Sequence, residues 1–401
     1  MDDPRYMTAQ EVAKALGVSV ATVYAYVSRG LIRSEAVGGS KRTRRYDRED
    51  VQRLKDRQEQ RHNPDKVVEG ALNWGTPLLD SALTLIENGR LYYRGYDALE
   101  LAQQHSIEQV AGLLWADDLQ VPIMAEGGFY PERCRVARQQ LGDITPFERF
   151  QALLPIAALD DVAAYDLRPE SVIQAGARML HFLTAVAADR TDRTTSIAET
   201  LQQAWVPDDK AASHLINMAL VLCADHEFNV SAFTARCIAS AGSTPYAAVS
   251  GGLAALQGSK HGGSTERVAA FLREIGTIDN VRAALVNRIK RGDALPGFQH
   301  RLFPNGDPRC MLLLDTLNAA YPDKLNFAEA VIENANQLLG EHPNVDFALV
   351  VMADILHLPP GAPIALFALG RTVGWIGHAL EQYATDQLIR PRARYTGPSP
   401  F

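Results

Sequence analysis

The stretch "APIALFALGRTVGWIGHALEQYATD", residues 362–386, repeats apolar residues at three- and four-residue intervals and carries Arg371 in its midst. That period is helical, and a helix without a broad polar face has to be buried in a bundle or at a subunit interface. Outward from it, "ALELAQQHSIEQVAGLLWAD", "ASHLINMALVLCAD", "VSAFTARCIASAG", "YAAVSGGLAALQG", "PRCMLLLDTLNAAY" and "FAEAVIENANQLLGE" show the same recurrence, and alternating strand patterns are scarce. The segments around 215–223 and 247–256 are apolar on most faces. The chain from residue 66 onward is therefore expected to be mainly α, with several helices fully enclosed and an oligomer as the consequence.

At 401 residues, 47% hydrophobic and 22% charged, the chain is long enough for two or three domains with sizeable cores. No apolar run reaches the ~20 residues needed to cross a bilayer, and "MDDPRYMTAQ" lacks the form of a signal peptide, so the cytoplasm is expected. Cys134, Cys223, Cys237 and Cys310 are scattered without a C-x-x-C pair, and the histidines show no metal-ligand spacing, so neither disulfide nor metal is expected. The net charge of -7 hides an asymmetry: residues 1–63 hold 13 Lys+Arg against 9 Asp+Glu, and the acidic excess lies behind them.

In that basic front piece, "TAQEVAKALGVSVATVYAYVSRGLI" (8–32) gives two short helical patterns broken at Gly17, with Val12, Ala13 and Leu16 on one face and Val20, Val23 and Val27 on the next. Ser19 is placed to cap the second. "RSEAVGGSKRTRRYD" follows as a hairpin centred on Gly38-Gly39, and "REDVQRLKDRQEQRH" as a charged helix that runs to a boundary near Pro64. The segment resembles the winged helix-turn-helix of the MerR and excisionase type through "SVATVY" and "GLI". The resemblance implies a second helix in the major groove, with Thr22, Tyr26 and Arg29 exposed on it, and wing cations Lys41, Arg42, Arg44 and Arg45 on phosphate. The alternative is a dimerisation or docking element with solvated cations.

Polar groups stand out in the apolar body because burying one unpaired costs about 1–3 kcal/mol. "CADHEFNVS" places Asp225, His226, Glu227 and Asn229 at the end of an apolar helix, and "QGSKHGGSTE" places His261 before two glycines. "LPGFQHRLFPNGDPR" (295–309) is a loop with His300, Asp307 and Arg309, and "HPNVDFALV" sets Asp346 at the mouth of an apolar helix. Taken singly, His261 reads as a helix C-terminal residue, Asp346 as an N-cap and Arg371 as a structural cation.

Together, "DHEFNVS", "KHGG", "PGFQH", "DPR", "PNVDF", "GRTVGW" and "IRPR" stand in the order and near the spacing of the citrate synthase family, and the chain resembles that family over residues 70–401. "GRLYYRGYDALELA" with "VAGLLW" is similar to its early helices. The resemblance implies a large helical domain (64–262, with 358–401 returning to it), a small helical domain (263–357) and the front module (1–63). It implies condensation of an acyl-CoA, acetyl-CoA or propionyl-CoA, with the ketone of oxaloacetate. It gives Asp346 as base, His261 as donor to the thioester oxygen and His300 as donor to the ketone oxygen. Arg309 and Arg371 become a carboxylate clamp, Arg390 an arginine lent to the neighbouring subunit of a homodimer, and His226 with Asn229 contacts to the oxo acid. The backbone around Leu295, Gly297 and Gln299 matches a loop that receives CoA, which serves as co-substrate without any permanent cofactor. His105, His181, His214, His357 and His378 have no such support.

Departures fall at Gln299, where the family has glycine, at Pro304, where a basic residue often stands, at "STE" in place of "ANE", and at 142–170, which lacks an "HPM"-like segment. A competing reading is a regulator whose synthase-like body senses a metabolite for the DNA module. The intact His261, His300 and Asp346 favour the enzyme, since a sensor needs the clamp and not the base.

Overall fold

The computed structural model describes residues 6–29, 31–36, 44–48, 50–51, 79–120, 123, 129–190 and 196–399. The chain forms two compact units, Met1–Asp80 and Ser81–Phe401.

In the first unit, strand β1 (Tyr6–Met7) leads into α1 (Ala9–Leu16) and α2 (Val20–Ser28), then β2 (Ser34–Ala36) and β3 (Arg44–Asp47), with sheet order β1-β3-β2. Thr8 and Glu11 form a capping box at α1, Gly17 takes the left-handed conformation that ends it (φ 63°), and the Ser19 side chain caps α2. Val12, Leu16, Val23, Ile32, Tyr46 and Val51 make its core. Arg33 closes the module with two side-chain bonds to Asp50, at 2.9 and 3.1 Å. Gly38-Gly39, Lys41, Arg42 and most of the charged helix expected at 48–62, with its boundary at Pro64, lie outside the described residues.

The exposure expected along α2 needs correction. Arg29 is exposed, but Tyr26 packs against the core and Thr22 is half-buried, its hydroxyl 2.9 Å from that of Ser19. Tyr26 lies only about 60° around the helix from buried Val23, so the exposed aromatic is Tyr24, 55% accessible. On the wing, Arg44 is exposed, whereas Arg45 pairs with Glu35 at 3.1 Å and stacks 4.0 Å over Tyr6.

The second unit opens with a three-stranded meander, β4 (Thr84–Glu87), β5 (Arg90–Tyr93) and β6 (Tyr96–Asp97). This corrects the expectation of helix in "GRLYYRGYD". Asn88-Gly89 and Arg94-Gly95 all have positive φ, the conformation that folds a tight hairpin, so helix starts only at Ala98. Then follow α3 (Ala98–Gln104), α4 (Ile107–Ala116), α5 (Glu132–Gln140), α6 (Pro146–Ala158), α7 (Pro169–Ala188), α8 (Ile197–Trp205), α9 (Ala212–Leu222), α10 (Val230–Ser240), α11 (Pro245–Leu256), α12 (Ser264–Ile275), α13 (Val281–Arg291), α14 (Pro308–Ala320), α15 (Asn326–Leu339), α16 (Val345–Ile355) and α17 (Ala362–Thr385).

Helix α17 is the axis of this unit. Every residue from Ala362 to Ala379 is buried, and it packs against α4, α7, α9, α10 and α11. Its glycines permit that enclosure: a Cβ at Gly370 would lie 2.4 Å from the Leu220 carbonyl oxygen, and one at Gly374 would lie 2.5 Å from that of Ala224. The Gly374 N–H donates to the Ala224 carbonyl at 3.0 Å, so the chain leaving α9 is held against α17 just before His226. A second group forms where α16 packs against α12 and α14.

Candidate active site

His300 lies in the loop between α13 and α14, which is bent by positive φ at Gly297, Gln299 and Gly306. Gly297 is obligatory, since a Cβ there would stand 2.8 Å from Val268. The Leu302 N–H donates to His300 Nδ1 at 3.2 Å. Nδ1 is thus unprotonated, and the neutral ring keeps its proton on Nε2, ready to donate. The His226 ring meets His300 edge-on at 5.0 Å, and both rings contact Phe303. His226 is buried, and its Nε2 has no partner among the described residues.

Two arginines close this half of the site. Arg309, in the first turn of α14, donates to both oxygens of Asp307, at 2.9 and 2.8 Å, and lies over Phe303. Asp307 also accepts the Val345 N–H at 3.1 Å, which ties the start of α14 to the start of α16. Arg371 is buried on α17, donates from Nε to the Cys223 carbonyl at 2.8 Å and lies 4.8 Å over Phe367. No hydrogen bond holds its terminal nitrogens among the described residues. Behind it, Asp225 accepts from the Thr84 hydroxyl at 2.5 Å and lies 3.2 Å from His378 Nε2.

The other half gathers at Phe367, whose ring also meets His261 at 5.9 Å. His261 sits in the turns between α11 and α12, with Nε2 2.8 Å from the Ser231 hydroxyl, which itself lies 2.7 Å from Asn229 Oδ1. Asn229 Oδ1 accepts the N–H groups of Ser231 and Ala232 as the cap of α10, so that side chain positions Ser231. Asp346 is in the first turn of α16, where Asn344, not Asp346, supplies the N-cap. Ser264 favours the charged form of its carboxyl, and its Oδ1 is shielded from solvent without a partner among the described residues.

Burial raises Asp346 to about 7, against the pull of Arg309 and the Ser264 bond. Burial, then Arg371, lowers His261 to about 3. Burial, then Arg309, lowers His300 to about 4, and burial followed by the charges of Arg309, His300 and Arg371 takes His226 well below its usual value. Near neutral pH the site offers three uncharged imidazoles, a carboxyl poised to gain or lose a proton, and two guanidinium groups. That set can take a weakly acidic proton, donate hydrogen bonds to oxygens that gain charge, and hold a carboxylate.

His226, His261, His300, Arg309, Asp346 and Arg371 are thus linked through shared rings, hydrogen bonds and the fields of the two arginines, although they come from separate segments. Leu295 and Gly297 are buried behind the His300 loop or within its bend, and Gln299 lies exposed on its rim. Arg390 stands apart, exposed in the segment after α17, without a hydrogen bond or ion pair among the described residues. Sequence reasoning passed over Ser231 and Ser264, the two hydroxyls beside His261 and Asp346, though both lie inside quoted motifs. It also passed over Phe303 and Phe367, which look like ordinary core residues. Among the described residues no cluster of His, Cys, Asp or Glu could hold a metal ion, and no helix is long and apolar enough to cross a membrane.

A helical body with an enclosed axis helix, and a raised carboxyl set with neutral imidazoles and two buried arginines, has the groups that a carbon–carbon condensing enzyme of the acyltransferase class needs. The family described as citrate synthase, C-terminal domain matches residues 71–392, and a helix-turn-helix domain matches residues 6–59. The citrate synthase of Haloferax volcanii is 31% identical over 80% of this chain and 94% of its own length, and citrate synthase 2 of Bacillus subtilis is 28% identical over 81% and 95%. The crystal structure of citrate synthase from Thermotoga maritima superposes with a TM-score of 0.69 at 28% identity, covering 81% of this chain and 94% of that one. The chain belongs to the citrate synthase family and is an enzyme of citrate synthase type.

Proposed function

We propose that the protein condenses a short acyl-CoA, acetyl-CoA or propionyl-CoA, with oxaloacetate and then hydrolyses the thioester to release CoA. The observation that carries this reading is the Asp346 carboxyl, its Oδ1 shielded from solvent, set in one site with His261 and with Arg371, whose terminal nitrogens take no hydrogen bond among the described residues. Asp346 removes the proton next to the thioester. His261 is the donor to the thioester oxygen; the Ser231 hydroxyl gives its hydrogen to Asn229 Oδ1 at 2.7 Å, and that hydrogen has to swing to His261 Nε2 to leave the ring proton on Nδ1. The carbanion attacks the ketone carbon, and His300 Nε2–H supports the oxygen that gains charge there. Neutral imidazole suits both tasks, because it donates without drawing the proton from Asp346. Arg309 and Arg371 take the carboxylates of the oxo acid with His226 beside them, and Arg390 of a second copy completes the clamp in a homodimer with shared sites. Asn229 acts through Ser231.

The discrimination between acetyl and propionyl rests on one methylene, worth about 1–3 kcal/mol in a pocket, so both thioesters are tested. Release of thiol from either one in the presence of oxaloacetate supports the reading, and no release with either overturns it.

We further propose that the front module binds DNA, with Tyr24 and Arg29 on α2 and Arg44, Lys41 and Arg42 on the wing. Its helix-turn-helix match and the exposure of Tyr24, Arg29 and Arg44 support this. Arg45, paired with Glu35 and stacked on Tyr6, is less available than the other wing cations.

A further inference from the structure

Arg309 and Arg371 differ in how their own fold treats them. Both are buried, and a buried guanidinium ordinarily takes a carboxylate of the protein as its partner. Arg309 does so, through two bonds to Asp307 at 2.9 and 2.8 Å. Arg371 does not, although Asp225, a carboxylate with no exposed surface, acts on it with its charge. The Nε of Arg371 is taken by the Cys223 carbonyl, and its terminal nitrogens take no hydrogen bond among the described residues.

The placement of Asp225 explains why. A Cβ at Gly374 would lie 2.4 Å from Asp225 Oδ1, so the carboxylate occupies the gap that glycine leaves in α17. Arg371, Gly374 and His378 follow at three- and four-residue steps and share one face of that helix, which sets the carboxylate between the root of Arg371 and the His378 ring. Arg371 leans the other way, 4.8 Å over Phe367. Both oxygens of Asp225 are already taken. The Thr84 hydroxyl donates to Oδ2 at 2.5 Å, and His378 Nε2 lies 3.2 Å from Oδ1. Nε2 is the donor there, because an ionised carboxylate only accepts. Asp225 is ionised: although burial disfavours its charge, His378, Arg371 and the Thr84 bond hold the carboxyl below its ordinary range. Its backbone is fixed by Tyr93, whose hydroxyl accepts the Asp225 N–H at 3.3 Å, so only the side chain is free to turn.

We propose, building on the condensation reading above, that Thr84 and His378 are positioning residues that keep the Asp225 carboxylate off Arg371 and so leave its terminal nitrogens for a carboxylate of the oxo acid. Without the Thr84 hydroxyl, Oδ2 loses its donor inside the protein, and Arg371 offers charged donors with unused hydrogens in the same enclosure. Asp225 then becomes an internal competitor of the substrate. The effect falls on the oxo acid alone, since the acyl-CoA takes no part in this pairing.

The test measures thiol release by the unsubstituted full-length protein, by Thr84→Val, Thr84→Ala and Thr84→Ser, and by Thr84→Val combined with Asp225→Asn. Oxaloacetate and acetyl-CoA are varied in turn. Valine and alanine at 84 should each raise KM for oxaloacetate about three- to tenfold, the worth of one net hydrogen bond, with kcat and the KM for acetyl-CoA unchanged. Serine keeps the hydroxyl and should keep the KM. The double variant separates competition from damage. Asparagine at 225 carries no charge to pair with Arg371, so the oxaloacetate KM should return to within about twofold of the unsubstituted value, a coupling that independent sites do not show. A purely structural role for Thr84 would leave the double variant at least as poor as the single one, and that result overturns the proposal. Unchanged oxaloacetate KM in Thr84→Val and Thr84→Ala overturns it as well, as does an equal rise for acetyl-CoA. Far-ultraviolet circular dichroism shows which variants are folded, and if the double variant is not, the split between the two KM values with rescue by serine decides alone. Absence of thiol release by the unsubstituted protein overturns the functional reading, and this assignment with it. Release with an unmoved oxaloacetate KM overturns this assignment alone.

Discussion

Replacing Asp346 with Asn should make the protein slower and, above neutral pH, more stable. The carboxyl moves from an ordinary value of 3.8 to about 7 on folding, because burial disfavours its charged form. A shift of about three units corresponds to roughly 4 kcal/mol between the protonation states. The sign follows from proton uptake. Between pH ~4 and ~7 the folded protein holds a proton on Asp346 that the unfolded chain has released, so stability is fully present below the lower value and is lost as pH rises through the upper one. At pH 8 the folded wild-type protein carries an ionised carboxylate in a shielded place, a cost that Asn does not bear. The difference in unfolding free energy between Asp346→Asn and wild type should therefore be larger at pH 8 than at pH 5, by about 3 kcal/mol, with Asn the favoured side chain at pH 8. Urea unfolding followed by near-ultraviolet circular dichroism at both pH values measures this, and thiol release should fall at least ~100-fold in the same variant. An identical difference at both pH values would refute the burial argument. Wild-type turnover would remove Asp346 from the chemistry.

Wild-type kcat/KM for the acyl-CoA should fall tenfold per unit below a midpoint near 7 and level off above it, since Asp346 must be ionised to act as base and the three imidazoles are already neutral there. Ser264→Ala should move that midpoint upward, because the Ser264 bond favours the charged carboxyl; a pH–rate profile with an unmoved midpoint would count against the contact. Mixing Arg390→Ala subunits with His261→Ala subunits should restore activity in the heterodimers, and inactivity of every mixture despite proven subunit exchange would contradict a shared site. If the front module touches DNA, fragments selected from random sequence should bind with steep salt dependence, and Arg44→Ala should reduce the slope of log K against log salt by about one, as read by fluorescence anisotropy.

Much of the architecture was legible because it rests on local chemistry. The helical period and the apolar circumference of 362–386 required burial whatever surrounded them, and Ser19 marked a helix start through a bond made within a single turn. The polar residues of the site were conspicuous for the same reason, since His226, His300, Asp346 and Arg371 each interrupt apolar surroundings where an unpaired polar group is costly. The strands at 84–97 were missed because their signal lies in two turn dipeptides, Asn88-Gly89 and Arg94-Gly95, and not in an alternating run.

What tertiary structure alone decided is the state of those residues. No sequence pattern states that Leu302 donates to His300 Nδ1 and so puts the proton on Nε2, or that Ser231, 30 residues before His261, faces its ring. The rise of Asp346 to about 7 depends on water being excluded by helices distant along the chain, with Arg309 and Ser264 opposing it. Propensity and period act between neighbours in sequence, and they chose the helices. Desolvation and charge act between neighbours in space, so the chemistry of the site appeared only when α14, α16 and α17 came together.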